Sequence, residues 1–165
     1  MKISIPASAL VILCSFSQVF AQSDFLPEYA QKIIDAKFRS WRLADIDKEI
    51  VDYYKRERAH EHPNSVKGDW NGDGKVDYAV QLQNRQNGEK KIIVVLVKSG
   101  NSFDRYILEA ADCIMSEKKG NKAYDFETKK SFRYKNDAIF SCYWEKAGTS
   151  YVWRNGRFLG IVTSD

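Results

Sequence analysis

The chain has 165 residues, of which 44% are hydrophobic, 29% charged and 13% aromatic, with nine glycines and three prolines. That is the composition of one folded domain, and it excludes a collagenous, linker-like or disordered chain. A formal charge of +4 is too small to mark a nucleic-acid binder by itself, and a mean hydropathy of −0.49 with one apolar run near the start excludes a polytopic membrane protein.

That run opens the chain. Lys2 is followed by a mostly apolar stretch from Ala7 to Phe16, and Val19-Phe20-Ala21 fits a small-residue cleavage rule. Pro6, Ser8, Ser15, Ser17 and Gln18 interrupt the stretch, which suits a secretory signal peptide over residues 1–21 better than a membrane span. A lipid anchor on Cys14 is disfavoured, because Leu13 stands where such a cysteine needs a small neighbour. The expectation is an exported protein, periplasmic or secreted, with no stable membrane insertion once the signal is gone. Removing the first 21 of 165 residues leaves 144, a single domain over 22–165, and lowers the charge from +4 to +3 by the loss of Lys2. Of three cysteines, Cys113 and Cys142 remain. Two cysteines in an exported domain point to a disulfide rather than a metal pair or nucleophile, with two buried free thiols as the alternative.

Asp24 as N-cap, Pro27 in the first turn and Glu28 beside it start a helix whose apolar positions are Tyr29, Ile33, Ile34 and Phe38. A weaker helical pattern runs from about Asp45 to Arg58, with Ile46, Ile50 and Tyr53 on one stripe. Ser40-Trp41-Arg42-Leu43 between them reads as a turn or short strand, and His60 to Ser65 as a loop. His60 and His62 lack a third ligand at zinc spacing and read as exposed loop residues.

Beyond residue 75 the period becomes two. Val76, Tyr78, Val80 and Leu82 alternate with Asp77, Ala79, Gln81 and Gln83, which predicts a half-buried strand. A turn at Asn84 to Glu89 leads to Ile92–Val97, apolar at both parities and therefore a central strand covered on both faces. Ser99 to Ser102 turns the chain into Phe103 to Leu108. Lys118, Lys119, Lys122, Lys129, Lys130, Arg133 and Lys135 are interleaved with Tyr124, Phe126, Phe132 and Tyr134. This stretch reads as a solvated lysine face over core aromatics, or as a contact for anionic glycans or lipid headgroups. Near the end, Asn155-Gly156 between β-prone runs is a strong hairpin signal that opposes Trp153 and Phe158. Helices first and hairpins after predict an α+β domain, with an N-terminal helix or helices packed on an antiparallel sheet and one inserted loop.

The inserted loop is the segment that carries chemistry. Residues 68–80 read GDWNGDGKVDYAV. Asp69, Asn71, Asp73 and Asp77 occupy positions 1, 3, 5 and 9, Gly74 stands at position 6, and Lys75 offers its carbonyl at position 7. Hard oxygens at alternate positions of a tight loop suit Ca²⁺, and three carboxylates so close together repel one another without a cation. A metal-free turn built on Asx side chains is the alternative. An EF-hand needs a bidentate acid at position 12, where this chain has Val80, and a helix after it. The pattern instead resembles the DxNxDGxxD calcium loop of FG-GAP/VCBS-type repeats, which leads into a strand. The resemblance implies calcium on Asp69, Asn71, Asp73 and Asp77, with Trp70 anchoring the loop. One loop in 144 residues cannot make a propeller. More of the chain is similar to small exported bacterial proteins of unassigned function with one such loop and a Trp-x-x-Gly-x-Phe hairpin before Ser-Asp, here Trp153, Gly156, Phe158, Ser164 and Asp165.

No catalytic residues are expected, since no Gly-rich phosphate loop or GxSxG elbow is present. The function expected first is a non-catalytic binding module with a structural Ca²⁺, whose partner is another protein or an anionic glycan and not nucleic acid. An inhibitor or immunity-type protein acting on an envelope enzyme comes second. A calcium-dependent hydrolase comes third, because acids are plentiful but no acid pair or nucleophile with its base is arranged outside the loop.

Overall fold

A computed structural model describes residues 26–58 and 61–164. The signal segment, the Asp24 cap, Cys14, His60 and Asp165 lie outside the described residues.

The order is α1 (Glu28–Lys37), β1 (Trp41–Leu43), α2 (Lys48–Glu57), β2 (Ser65–Gly68), β3 (Asp77–Asn84), β4 (Lys91–Ser99) and β5 (Ser102–Glu109). Then follow β6 (Cys113–Glu117), β7 (Lys122–Asp125), β8 (Lys130–Arg133), β9 (Ala138–Tyr143), β10 (Ala147–Arg154) and β11 (Arg157–Ser164). One antiparallel sheet runs β1-β3-β4-β5, with β2 pairing the N-terminal half of β3 and β1 the C-terminal half. The other runs β11-β10-β9-β6, and β7 and β8 make a separate hairpin.

The α+β expectation is corrected. Among the described residues about half are strand and about 15% helix, so the protein is mostly β. The reason lies in what covers the strands. Val66, Trp70, Ala79, Ile93, Val95 and Val97 from the first sheet side share a cluster with Ile114 and Ile139 of the second. One face of the first sheet is thus closed by another sheet rather than by helices. The helices add little: α1 buries Ala30 and Ile34, in a cluster with Val80, Leu82, Val94, Leu96 and Phe103, and α2 buries Ile50 and Tyr54 beside Cys113 and Cys142.

The helix starts differ from the expectation in detail. The first turn of α1 closes on the Pro27 carbonyl, which accepts from Ala30 and Gln31 N–H at 2.9 and 3.1 Å. Proline can stand there because its missing N–H is not needed at a helix start. The second helix begins at Lys48, three residues later than its pattern suggested.

Strand β3 is buried on both faces, not one. Its polar members are inside with each amide nitrogen hydrogen-bonded, while the buried Gln81 Oε1 has no hydrogen-bond partner among the described residues. Gln81 Nε2 donates to the Ala111 carbonyl at 3.0 Å, while Gln83 accepts from Asp45 N–H at 2.7 Å and donates to the Asp45 carboxylate at 3.0 Å. Strand β4 is central and covered on both sides, as the run Ile92–Val97 suggested. In the last hairpin Trp153 stands opposite Phe158, and Asn155 and Gly156 take φ of 52° and 77°. Both positive values match a two-residue turn that follows the strand twist.

Candidate functional site

The acidic loop joins β2 to β3 and is built from its own side chains. Asp69 accepts from Gly72 N–H through Oδ1 at 2.8 Å and from Gly74 N–H through Oδ2 at 2.9 Å. Asn71 Oδ1 accepts from Asp73 N–H at 3.0 Å, and Asp73 Oδ1 from Lys75 N–H at 2.9 Å. The last two are Asx turns, in which a short side chain takes the place of a backbone acceptor, and Asp69 reaches further, three and five residues on. The Lys75 ammonium lies 3.3 Å from Asp73 Oδ2. Gly72 and Gly74 both have φ of 80°, a conformation natural to glycine alone, and a Cβ on Gly72 would meet the Asn136 side chain at 2.6 Å.

Two anchors fix this loop to the body. The indole of Trp70 is fully buried between the sheets. Asp77, also fully buried, accepts from Trp70 N–H at 2.9 Å and from Lys98 N–H of β4 at 2.7 Å. Burial pushes the Asp77 carboxyl up from its ordinary pKa; the Lys98 and Trp70 N–H groups oppose that, and the Asp73 charge adds to it. Asp73 goes the other way: the Lys75 N–H holds its carboxyl below the ordinary value.

A second side of the loop rests on the turn before β9. Asn136 Nδ2 donates to the Trp70 carbonyl at 3.2 Å, and Asp69 N–H donates to Asp137 Oδ2 at 3.3 Å. Asp137 also accepts from Lys119 N–H at 3.0 Å and lies 3.3 Å from the Lys118 ammonium. Nothing in the sequence pointed to Asn136, Asp137 or Lys98, which lie more than twenty residues from the loop residues they hold.

Asp69, Asn71, Asp73 and Lys75 therefore stand around one exposed loop, and Asp77 closes it from inside. Among the described residues no three His, Cys, Asp or Glu side chains converge as a metal-holding cluster. The carboxylates are turned to the loop's own N–H groups. The donor set still has the chemistry of a hard cation. Every donor is oxygen, and a carboxylate offers about four lone-pair sites, of which the hydrogen bonds described occupy two on Asp69.

Cys113 and Cys142 stand directly opposite each other on β6 and β9 as a bonded pair, with Cα atoms 5.3 Å apart. They are covered by Ile50 and Tyr54 of α2, and the Tyr54 hydroxyl donates to the Ile114 carbonyl at 2.8 Å. His62 is bridged to Ser65 at the start of β2. The basic stretch forms β7 and β8, with Tyr134 buried and Tyr124 and Phe126 each 40% exposed. Among the described residues no helix is long and apolar enough to cross a membrane.

No protein-family model matches the chain, and no curated protein or solved structure does either.

Proposed function

We propose that the protein is an exported calcium-binding domain, a non-catalytic binding module in which Ca²⁺ is a structural ion of the Asp69–Asp77 loop. One observation carries this reading. A nine-residue loop with oxygen donors at positions 1, 3, 5, 7 and 9 is pinned at both ends by Trp70 and Asp77 and docked on Asn136 and Asp137. Asp69, Asn71 and Asp73 with the Lys75 carbonyl would hold the ion, and Asp77 would close the loop from behind. The ion supplies positive charge to a segment with three carboxylates in nine residues. Oxygen ligands in a glycine-containing loop favour Ca²⁺ over Mg²⁺, which demands a tighter octahedron. Because both flanks are strands, the ion acts as a pin and not as a switch between two helix arrangements. Export rests on the pattern of residues 1–21.

The hydrogen bonds within the loop favour a second reading, a metal-free Asx turn whose acids serve only backbone N–H groups. Calorimetric titration decides between the two. The expected result is about one Ca²⁺ per chain, weaker Mg²⁺ binding, and loss of the signal in Asp73→Ala. Undiminished binding in Asp73→Ala removes the site assignment, and no heat from the unaltered protein establishes the metal-free turn.

A further inference from the structure

Strand β5 ends one side of the first sheet, and β4 is the strand that pairs with it. The two run in continuous register from Ser99 opposite Ser102 to Ile92 opposite Glu109. The turn between them has two residues, Gly100 and Asn101, so Ser99 and Ser102 are the hydrogen-bonded pair that closes it. Pairs then alternate, which turns the backbone N–H and C=O groups of Phe103, Arg105, Ile107 and Glu109 away from β4. Among the described residues no backbone hydrogen bond reaches β5 from that side. One side chain does: the Tyr151 hydroxyl donates to the Glu109 carbonyl at 3.0 Å, which leaves that oxygen a second lone pair. The other eight-residue edge, β11, is already engaged, because its Val162 carbonyl accepts from Phe126 N–H at 3.0 Å.

An open edge invites another strand, and native proteins blunt it with proline, a bulge or charge. Strand β5 has no proline and no register shift, but it carries Asp104, Arg105 and Glu109. None of the three makes an ion pair among the described residues. Arg105, Ile107 and Glu109 lie on the same face as Phe103, which packs in the α1 cluster. At 62%, Ile107 is the most exposed large hydrophobic side chain among the described residues.

We propose that β5 pairs antiparallel with β5 of a second copy of this chain, about a two-fold axis at Ile107, so that the two first sheets become one. The order of side chains selects both the partner and the register. A two-fold at residue 107 sets that residue opposite itself and residue 105 opposite 109. Ile107 then meets the partner's Ile107, and Arg105 meets the partner's Glu109 at both ends by symmetry. On the other face Tyr106 meets the partner's Leu108. Neighbouring registers lose these contacts. An axis at Arg105 sets two guanidinium groups against each other, one at Tyr106 sets Arg105 against Ile107, and one at Leu108 sets Ile107 against Glu109. The backbone agrees with the side chains, because Ile107 is one of the residues whose N–H and C=O point outward, and the central pair can exchange two hydrogen bonds. A foreign strand has to bring charges that match Arg105 and Glu109, whereas β5 carries the match itself.

One strand edge buries less than the about 1,000 Å² of a stable interface, so the mature protein is expected to be monomeric at about 1 µM and mostly dimeric at about 1 mM. Sedimentation equilibrium over that range is the test. Arg105→Glu alone and Glu109→Arg alone each set like charges opposite one another at two symmetric places, and each is expected to weaken association about tenfold. An equimolar mixture of the two variants is expected to restore it, since residues 105 and 109 then carry opposite charges across the axis. The double variant is expected to do the same. Ile107→Lys is expected to stay monomeric. Far-UV circular dichroism and melting temperature at low concentration are expected to match the unaltered protein in every variant, which separates lost pairing from lost folding. Amide exchange at Ile107 is expected to slow as the concentration rises, while exchange along β11 stays constant. A monomer at about 1 mM, a dimer indifferent to the charge reversals, a mixture that fails to restore it, or protection that grows on β11 instead of β5 would each overturn the proposal.

Discussion

The acidic loop and the Cys113–Cys142 corner each join distant parts of the fold, and they do so by opposite means. Within the loop every bond is local: Asp69 to Gly72 and Gly74, Asn71 to Asp73, Asp73 to Lys75. Its attachment to the body then rests on one large side chain, Trp70, on a buried carboxylate, Asp77, and on the docking contacts of Asn136 and Asp137. The cysteine corner has one covalent link between residues 29 positions apart, under two residues of a short helix. The loop is thus ordered by short-range geometry and held by packing. The corner is packed modestly and held by a long closed loop in the unfolded chain.

The comparison breaks first at Trp70. Removing a fully buried tryptophan from the core between two sheets is expected to cost about 3–5 kcal/mol. Trp70→Ala should therefore lower the urea midpoint more than any other single substitution in either region, and abolish calcium binding with it. Trp70→Phe sharpens the point. The indole Nε1 has no hydrogen-bond partner among the described residues, so phenylalanine discards an unpaired buried donor while keeping much of the apolar bulk. Its loss should be clearly the smaller of the two. Equal losses would mean that the loop is not held by packing volume.

The corner comes next. Closing a loop of this length stabilises by about 3–4 kcal/mol on the chain-entropy estimate. The double change Cys113→Ala with Cys142→Ala should lower stability by that amount in denaturant titration, while leaving calcium affinity unchanged. Mass spectrometry of unreduced peptides from exported protein should show Cys113 linked to Cys142. Two free thiols would remove the contrast between the regions.

The same contrast explains what could be read from the sequence. Signals that act over a few residues were legible: the Asp, Asn and Gly spacing of residues 69–77, the Asn155-Gly156 turn, and the periodicity of α1 and of the run that became β4. The cysteine pairing was legible only because two cysteines remained to pair. What depends on long-range contact was not. Asp137 holds Asp69 from 68 residues away and looks like any surface acid. Gln81 and Gln83 read as the wet side of β3, yet loop groups at Ala111 and Asp45 make it a dry one. Strands β7 and β8 are four residues each and carry lysine and arginine, so their composition masked the pairing of Lys122 with Arg133 and Ala123 with Phe132.

The smallest expected effect is that of the ion itself. If calcium bound a loop that was otherwise unformed, chelation would release Trp70 and unfold the space between the sheets. The hydrogen bonds argue against this, because Asn136 and Asp137 hold the loop from outside and Asp77 holds it from within. The ion then contributes only its linkage free energy. With a Kd of about 0.1 mM and about 1 mM calcium, that is about 1.4 kcal/mol. For a domain of this size the melting temperature should rise by about 5 °C in calcium over chelator. Far-UV circular dichroism should stay the same, since neither sheet depends on the ion. Asp73→Ala should melt at one temperature in both buffers. Complete unfolding in chelator, or a large spectral change on adding calcium, would show that the ion builds the loop rather than pins it, and the order of the two regions would then be reversed.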